Sequence, residues 1–329
     1  MPSSILVPVD GSTFAEHAFP YALGIARRTD ATLHLALVHV PPDVVGPAYP
    51  LTEAIQAQHE EQRDRETGYL ERLIERLRPS GVPIRPALLR GRVPAALGEY
   101  VEERGIGLVV MTTHGRGGLQ RAWLGSTADS LVRHCVIPIL MVRPSEETRE
   151  IGPGGDRTIR RMLVALDGSE ASEAALRDAL QLGITADATV ALLHVLQPAV
   201  AASSPYLPQT IQLTQDEMSA REKQMRRYLE EVAARDALAE RTTELRVEVD
   251  YYPAPAVLDV AEELDVDLIV LGTQGRGGLR RLILGSVADK VIRGTHRPVL
   301  VHRGVGRSVR MTYRARHQTS EQAEANAHP

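Results

Sequence analysis

The stretch ILVPVDGS at residues 5–12 recurs as MLVALDGS at residues 162–169. A glycine-rich segment that begins HGRGGL at His114 likewise recurs as QGRGGL at Gln274. Because the two pairs keep nearly the same separation, both halves of the chain carry the same elements in the same order. A repeat of this length indicates a duplicated domain, since solenoid repeats are far shorter.

The duplication predicts where the domains begin and end. We expect a first domain at residues 1–144, a linker at 145–158, a second domain at 159–304 and a flexible tail at 305–329. The linker, SEETREIGPGGDRT, is polar and contains several Gly and Pro residues, which is typical of an exposed connection. The tail contains few apolar residues, so we expect it to fray.

The composition describes an ordinary globular protein. Of 329 residues, 43% are hydrophobic and 24% are charged. The formal net charge of −4 gives no general reason to expect a nucleic-acid partner. Cys135 is the one cysteine, so neither an intrachain disulfide nor an all-thiolate metal site can form. With no signal-peptide pattern and no membrane-length apolar run, we expect a cytoplasmic protein with no membrane partner.

Short apolar runs alternate with helical patterns in each half. The predicted strands are 5–10, 32–40, 84–90, 108–113 and 139–143, then 162–167, 189–196, 245–251, 268–273 and 299–303. A first helix is predicted from Ser12 or Thr13 to about Arg28, and Pro94 suits the first turn of a later one. This alternation predicts a Rossmann-like α/β fold with two tandem doubly wound domains, each a five-stranded, mainly parallel sheet flanked by helices.

The end of the first strand in each half carries an acid. Asp10 and Asp167 both occur in an Asp-Gly-Ser sequence, at the sheet edge where ligands bind in doubly wound folds. Two interpretations stay open for these carboxylates. Each could contact a ligand, or each could merely accept a hydrogen bond from the backbone in a turn before a helix.

A glycine-rich stretch follows the fourth strand of the second half. It reads GTQGRGG at 272–278 and is followed by Gly285 and Ser286 at a predicted helix start. Glycines let backbone N–H groups approach an anion, and a helix start adds unpaired donors. With Arg276 and the Ser286 hydroxyl, this predicts a phosphate-binding cradle, although a plain connecting loop is the alternative.

Other phosphate and nucleophile motifs are missing from the sequence. There is no G-x-x-x-x-G-K-[ST] P-loop, and the turn after the first strand is not the G-x-G-x-x-G of dinucleotide-binding domains. No G-x-S-x-G elbow occurs, so an α/β-hydrolase nucleophile has no position. No His, Cys, Asp or Glu cluster has metal-site spacing, and any Mg²⁺ would arrive with a nucleotide.

The G-x-x-G, nine residues, G-S pattern resembles the adenine-nucleotide motif of the universal stress protein family, and V-D-G-S resembles that family's N-terminal signature. The resemblance covers residues 3–143 and 159–303. It implies a stress-response regulator that binds ATP, ADP, AMP or cyclic AMP, with the strand-one Asp and the end of strand two facing adenine and ribose. It also implies that the glycine loop and the following Gly-Ser hold phosphates, and that domains pair through their last strands.

The resemblance assigns binding positions to both halves. In the first half they are Pro8, Val9, Asp10, Val40, Met111, Gly115, Arg116, Gly125, Ser126 and Thr127. In the second half they are Ala165, Leu166, Asp167, Val195, Leu271, Gly272, Gly275, Arg276, Gly285, Ser286 and Val287. This assignment matches His39-Val40 with His194-Val195.

The first half departs from the pattern at Thr112, where the second half has Gly272. A β-branched residue resists positive φ and would place a side chain where ribose or phosphate lies. We therefore expect the second half to bind more tightly than the first.

Three other residues invite a chemical role. His114 stands where the second half has Gln274, and Gln cannot act as a general base, so we expect no shared catalysis. His39 and His194 could sense pH or simply bond to the backbone, and we favour the backbone bond. Cys135 is interpreted as a packed, structural residue.

The sequence favours a nucleotide-binding regulator with little or no turnover, at most slow ATP hydrolysis. An ATP hydrolase or adenylyl-transfer enzyme of related fold is one alternative, and an interaction module without ligand is another. The last strands of the two halves are expected to pair within the chain as a pseudo-dimer, and chains could associate further as homodimers.

Overall fold

The computed structural model describes residues 1–41, 53–113, 124–144, 157–202, 209–212, 214–239, 241, 243–273 and 285–303. The predicted linker and tail therefore lie almost entirely outside the described residues. So do the central glycines of both predicted phosphate loops.

Each half contains the five predicted strands. The first half contributes β1 (Ser4–Val9), β2 (Thr32–His39), β3 (Ile84–Arg90), β4 (Leu108–Thr112) and β5 (Ile139–Val142). The second half contributes β6 (Arg161–Ala165), β7 (Thr189–Leu196), β10 (Thr243–Val249), β11 (Leu268–Gly272) and β12 (Val299–His302). A short antiparallel pair, β8 (Ala199–Ala202) with β9 (Gln209–Gln212), was not predicted.

Helices connect the strands in both halves. The first half has α1 (Thr13–Glu16), α2 (Phe19–Thr29), α3 (Glu53–Leu77), α4 (Val93–Glu103) and α5 (Ser126–His134). The second has α6 (Glu170–Leu180), α7 (Gln215–Ala233), α8 (Asp236–Ala239), α9 (Pro253–Glu263) and α10 (Ser286–Gly294). Within the described part of the chain, none of these helices combines the length and apolar character that crossing a membrane requires.

The other ten strands form one continuous sheet in the order β3-β2-β1-β4-β5-β12-β11-β6-β7-β10. In this sheet, all pairs within a half are parallel, which confirms the predicted doubly wound fold. The strand order reverses beside β1 in the first half and beside β6 in the second. In such sheets a ligand crevice opens beyond the carboxyl ends at that point.

The two halves meet at β5 and β12, which pair antiparallel with Leu140 opposite Leu300. Both leucines are fully buried. Buried apolar residues from both halves continue across this junction on each face of the sheet. The expected pairing of the last strands is therefore confirmed, and the chain forms an intrachain pseudo-dimer.

Two arginines reinforce this junction from opposite sides. Arg143, just after β5, donates to the carbonyl oxygen of Thr295 at 2.8 Å, at the C-terminal end of α10. Arg303, just after β12, donates to the carbonyl oxygen of Arg133 in the last turn of α5. A cation at a helix C-terminus satisfies a free carbonyl and complements the helix dipole. Each half thus caps a helix of the other.

The predicted first helix is interrupted in the first half. It is one helix, α6, in the second half, but it divides into α1 and α2 around His17 and Ala18. Pro20 lies at the start of α2 and has no N–H to donate to the carbonyl of Glu16, so the helix cannot run through. The corresponding residue of α6 is Arg177, which imposes no such break.

We predict that Arg143→Met lowers the free energy of unfolding by about 1–2 kcal/mol, because it removes a charge-assisted hydrogen bond to a helix end. Urea unfolding of the full chain measures this. As a control, Arg65→Met removes an exposed pair with Glu61 and is expected to cost less than about 0.5 kcal/mol. Equal effects of the two changes would contradict the capping role.

His34 predicts a pH dependence of stability. It lies buried in β2, its Nδ1 is 2.9 Å from the Tyr100 hydroxyl, and burial together with Arg85 and Arg104 lowers its pKa below 6.5. As the pH falls below about 6.5, the unfolded chain therefore takes up a proton at this histidine more readily than the folded chain does. The free energy of unfolding decreases over this range, because the folded state needs His34 neutral.

We expect His34→Gln, which keeps hydrogen-bonding capacity without titrating, to flatten this dependence. The stability difference between native and variant chains should shrink as the pH is lowered from 7.5 to 5.5. Denaturant titrations at each pH measure it. A difference that stays constant over this range would show that His34 does not contribute.

Candidate functional site

The candidate site of the second half lies at the carboxyl ends of β6 and β11. Ala165 at the end of β6 pairs with Leu271 on one side and Leu193 on the other. The N–H of Leu166 donates to the carbonyl of Leu193 at 2.8 Å, which continues the ladder for one more residue. Asp167 follows directly. Because β6 and β11 are parallel neighbours, the Asp167 turn and the end of β11 share one sheet edge.

The acid is fixed by a tight turn in both halves. Asp167 Oδ1 accepts a hydrogen bond from the N–H of Ser169 at 2.9 Å. Asp10 Oδ1 accepts one from the N–H of Ser12 at 2.9 Å and another from the Ser12 hydroxyl at 2.6 Å. The intervening glycines, Gly11 and Gly168, have φ of 83° and 77°, which L side chains rarely adopt. One oxygen of each carboxylate therefore accepts a backbone hydrogen bond, as the backbone interpretation predicted. The turn also sets the direction in which the carboxylate points.

The helix that follows the glycine loop is joined to the end of the fourth strand. The N–H of Gly285 donates to the carbonyl of Thr273 at 3.0 Å, and the N–H of Gly125 donates to that of Thr113 at 2.9 Å. A Cβ at position 285 would lie 2.6 Å from that carbonyl oxygen, so only glycine fits. This contact holds the start of α10, with Ser286 as its first residue, beside the end of β11.

The remaining predicted residues lie on the same edges or outside the described chain. Pro8 and Val9 end β1, Met111 lies in β4, Ser126 and Thr127 begin α5, and Val287 follows Ser286 in α10. Val40 directly follows β2 and is exposed. The predicted phosphate-loop residues Gly115, Arg116, Gly275 and Arg276 lie outside the described residues, as does His114.

Strand register corrects one pairing between the halves. Thr32 is opposite Ser4 in the first half, and Thr189 is opposite Arg161 in the second. Counting along the strands, His39 corresponds to Leu196, not to His194, and Val40 corresponds to Gln197. The match of His39-Val40 with His194-Val195 was wrong by two residues, since it followed a repeated dipeptide instead of the ladder.

This register adds Gln197 to the candidate site of the second half. Its side chain is exposed, and its Nε2 donates to the carbonyl of Tyr251 at 3.1 Å. Val195, two residues earlier, is half-buried within β7. The sequence signal that could have found Gln197 is the spacing from the start of the strand.

The two histidines behave differently. His194 Nδ1 lies 2.7 Å from the carbonyl oxygen of Leu166, which confirms the expected backbone bond. For His39 that expectation was wrong. Its Nδ1 lies 2.6 Å from Glu66 Oε2, and its Nε2 lies 3.1 Å from His59 Nδ1.

Gly272 is required by packing, which corrects the reason given for its contrast with Thr112. Gly272 pairs regularly in β11 and is not among the residues with positive φ. A Cβ there would lie 2.6 Å from the backbone nitrogen of Ser172 in α6. The glycine therefore lets the first turn of α6 approach the strand. Thr112, buried in β4, carries that Cβ in the first half.

A three-residue network missed by the sequence analysis recurs in both halves. The Tyr69 hydroxyl donates to Glu16 at 3.2 Å, and Arg76 pairs with the same carboxylate at 2.5 Å. In the second half Tyr228 and Arg235 contact Glu173 at 3.1 and 2.7 Å. We call them the Glu16–Tyr69–Arg76 and Glu173–Tyr228–Arg235 networks.

The environment of each network keeps the tyrosine protonated. Burial, followed by the Glu16 carboxylate, raises the pKa of Tyr69, and burial with Glu173 does the same for Tyr228. Asp10 and Asp167 add to these shifts. The tyrosines therefore act as donors that fasten the helix after the Asp turn to the long helix α3 or α7.

The environment of the single cysteine disfavours a reactive thiolate. Cys135 is buried at the end of α5, and burial raises the pKa of its thiol to about 11, consistent with a structural residue. Among the described residues, no three or more His, Cys, Asp or Glu side chains are arranged as direct ligands of one metal ion.

Two doubly wound halves, joined through their last strands, define a tandem α/β protein. The model of the universal stress protein family matches residues 1–143 and 158–303. The chain belongs to the universal stress protein family, which confirms the resemblance found from its motifs.

Several relatives resemble the chain. A universal stress protein of Mycobacterium tuberculosis is 27% identical over 322 residues, covering 91% of this chain and 94% of the relative. One from Methanocaldococcus jannaschii is 31% identical over 150 residues, covering 45% of this chain and 84% of the relative. The crystal structure of a universal stress protein from Archaeoglobus fulgidus covers 92% of this chain and 98% of its own, with a TM-score of 0.65 at 17% identity. That structure supports the fold.

The packing at Gly272 yields a prediction. Gly272→Thr should lower the free energy of unfolding by about 1–3 kcal/mol, because the new Cβ displaces the first turn of α6. The reverse change in the other half, Thr112→Gly, is the matched control and creates no such overlap. Urea unfolding of both variants measures the difference. A neutral Gly272→Thr would show that α6 moves away freely.

Proposed function

We propose that the chain binds an adenine nucleotide at the carboxyl-end crevice of one or both halves and acts as a regulator with little or no turnover. The observation that carries this proposal is the meeting of two features at one sheet edge. The fixed carboxylate of Asp167 follows β6, and the Gly285–Ser286 helix start is tied to the end of neighbouring β11.

The two features suit opposite ends of a nucleotide. A carboxylate accepts hydrogen bonds from an adenine amino group or a ribose hydroxyl, while the start of a helix offers backbone N–H groups and a partial positive charge to phosphate. The Ser286 hydroxyl adds a further donor. The neighbouring loop residues Gly275 and Arg276 would extend the cradle toward the terminal phosphates.

The first half offers the same chemistry with one difference. Asp10, Gly125 and Ser126 occupy the corresponding positions, but Thr112 replaces Gly272. Because Gly272 lets the first turn of α6 approach β11, while Thr112 carries a Cβ at the same position, the helix after the Asp turn packs differently in the two halves. We propose that the second half is the tighter site.

Slow turnover follows from the groups near the proposed phosphates. Fast ATP hydrolysis needs a positioned base or water-orienting residue together with cationic stabilisation of the transferring phosphoryl group. Both aspartates are engaged in turns at the proposed adenine end. We therefore favour a regulator over an ATP hydrolase or an adenylyl-transfer enzyme of related fold.

Calorimetric titration of the full chain with ATP, ADP, AMP and cyclic AMP tests the proposal. We expect Asp167→Asn to weaken ATP binding by about tenfold, because the neutral amide loses a charge-assisted hydrogen bond but can keep the turn. Asp10→Asn is the matched variant and should have the smaller effect on the tighter site. Binding that is unchanged in both variants would contradict the assignment of the adenine end.

The phosphate end has its own test. Ser286→Ala should weaken ATP several-fold while leaving adenosine unaffected, because only the nucleotide reaches the helix start. Ser126→Ala reports the same for the first half. Steady-state assays with ATP and Mg²⁺ complete the comparison: brisk turnover would favour the enzyme alternative, and failure to bind any adenylate would favour an interaction module.

A further inference from the structure

A polar cluster in the first half has no part in the proposed nucleotide site. It consists of His39 at the end of β2 and of His59 and Glu66 on α3, and is called here the His39 cluster. Its members converge between the strand and the helix, and the side chains of His39 and Glu66 are only 9% and 11% exposed.

The cluster orients two imidazole nitrogens toward each other. Glu66 Oε2 lies 2.6 Å from His39 Nδ1, which favours the proton on that nitrogen and leaves Nε2 as the lone-pair nitrogen. His39 Nε2 then lies 3.1 Å from His59 Nδ1. The Glu66 carboxylate is itself held by Gln62, whose Nε2 donates to Oε1 at 2.8 Å.

The second half shows that the fold does not need these polar residues. The duplicated Glu–Tyr–Arg networks align α3 with α7, so Glu66 corresponds to Met225 and His59 to Met218. The strand register makes Leu196 the counterpart of His39. Leu196 and Met225 are buried. Two buried apolar side chains in one half are therefore replaced by an imidazole and a carboxylate in the other.

A hollow of about 390 Å³ opens beside the cluster and is lined by Gln58, Gln62, Arg65 and Glu66. It brings solvent to the edge of the cluster, and His59 is half-exposed. The cation in its lining, Arg65, is paired with Glu61 at 3.4 Å and extends into solvent. Solvent therefore reaches Glu66 through this hollow, and it also reaches the half-exposed ring of His59.

We propose that His39 Nε2 and His59 Nδ1 bind a divalent transition-metal ion of the Zn²⁺ class, with water at the remaining coordination positions. Two nitrogens that each lie about 2.0–2.1 Å from one ion are separated by roughly the distance seen here. A carboxylate on the far nitrogen of a metal-binding histidine fixes its tautomer and raises its basicity, which is the role of Glu66. Imidazole ligands favour Zn²⁺, Cu²⁺ or Ni²⁺ over Mg²⁺.

The test is calorimetric titration of chelator-treated full-length protein with ZnCl₂ at pH 7.5. We expect one ion per chain and a rise in melting temperature on binding. His59→Met installs the residue of the second half and should abolish this binding. Glu66→Gln keeps the shape of the side chain and should weaken binding by about tenfold.

His296→Gln, which removes an exposed imidazole elsewhere, is the matched control and should leave binding unchanged. The proposal is overturned if Zn²⁺ does not bind, or if binding survives both His59→Met and Glu66→Gln. It is also overturned if His296→Gln removes the binding, because the ion would then occupy an unrelated surface site. Should His59→Met fail to fold, Glu66→Gln alone decides between these outcomes.

Discussion

The antiparallel pairing of β5 with β12 is the contact on which the architecture depends. It joins two parallel sheets at Leu140 and Leu300, and the reciprocal contacts of Arg143 and Arg303 tie each half to a helix of the other. Because these strands run in opposite directions, the carboxyl ends of the two sets of parallel strands lie at opposite edges of the one sheet. Each half therefore presents its own carboxyl edge.

The duplicated halves have the same fold, and a few substitutions make them chemically different. The Asp-Gly-Ser turns, the Glu–Tyr–Arg networks and the glycine-to-carbonyl contacts before α5 and α10 are shared. Pro20 and Thr112 change how the helix after the first turn is built and packed. The His39 cluster adds a polar contact where the second half is apolar. The second half thus keeps the closer helix packing, while the first half carries the additional imidazoles.

The sequence predicted the strands, their parallel order and the joining of the halves, because buried parallel strands give continuous apolar runs and the repeat supplied each element twice. It did not predict the break before Pro20, since the first helix was predicted to run without interruption to about Arg28. The pairing of His39 with His194 failed because a repeated dipeptide does not fix a strand register. Contacts such as Glu66 with His39 join residues far apart in the chain, so periodicity alone could not reveal them.

The central claim is that the crevice beyond β6 and β11 holds an adenine nucleotide between the Asp167 turn and the start of α10. A crystal structure of the full chain soaked with ATP tests it most directly. We expect a purine beside the Asp167 carboxylate and phosphates over Gly285 and Ser286. An empty crevice at saturating ATP, or nucleotide bound only elsewhere on the chain, would contradict it.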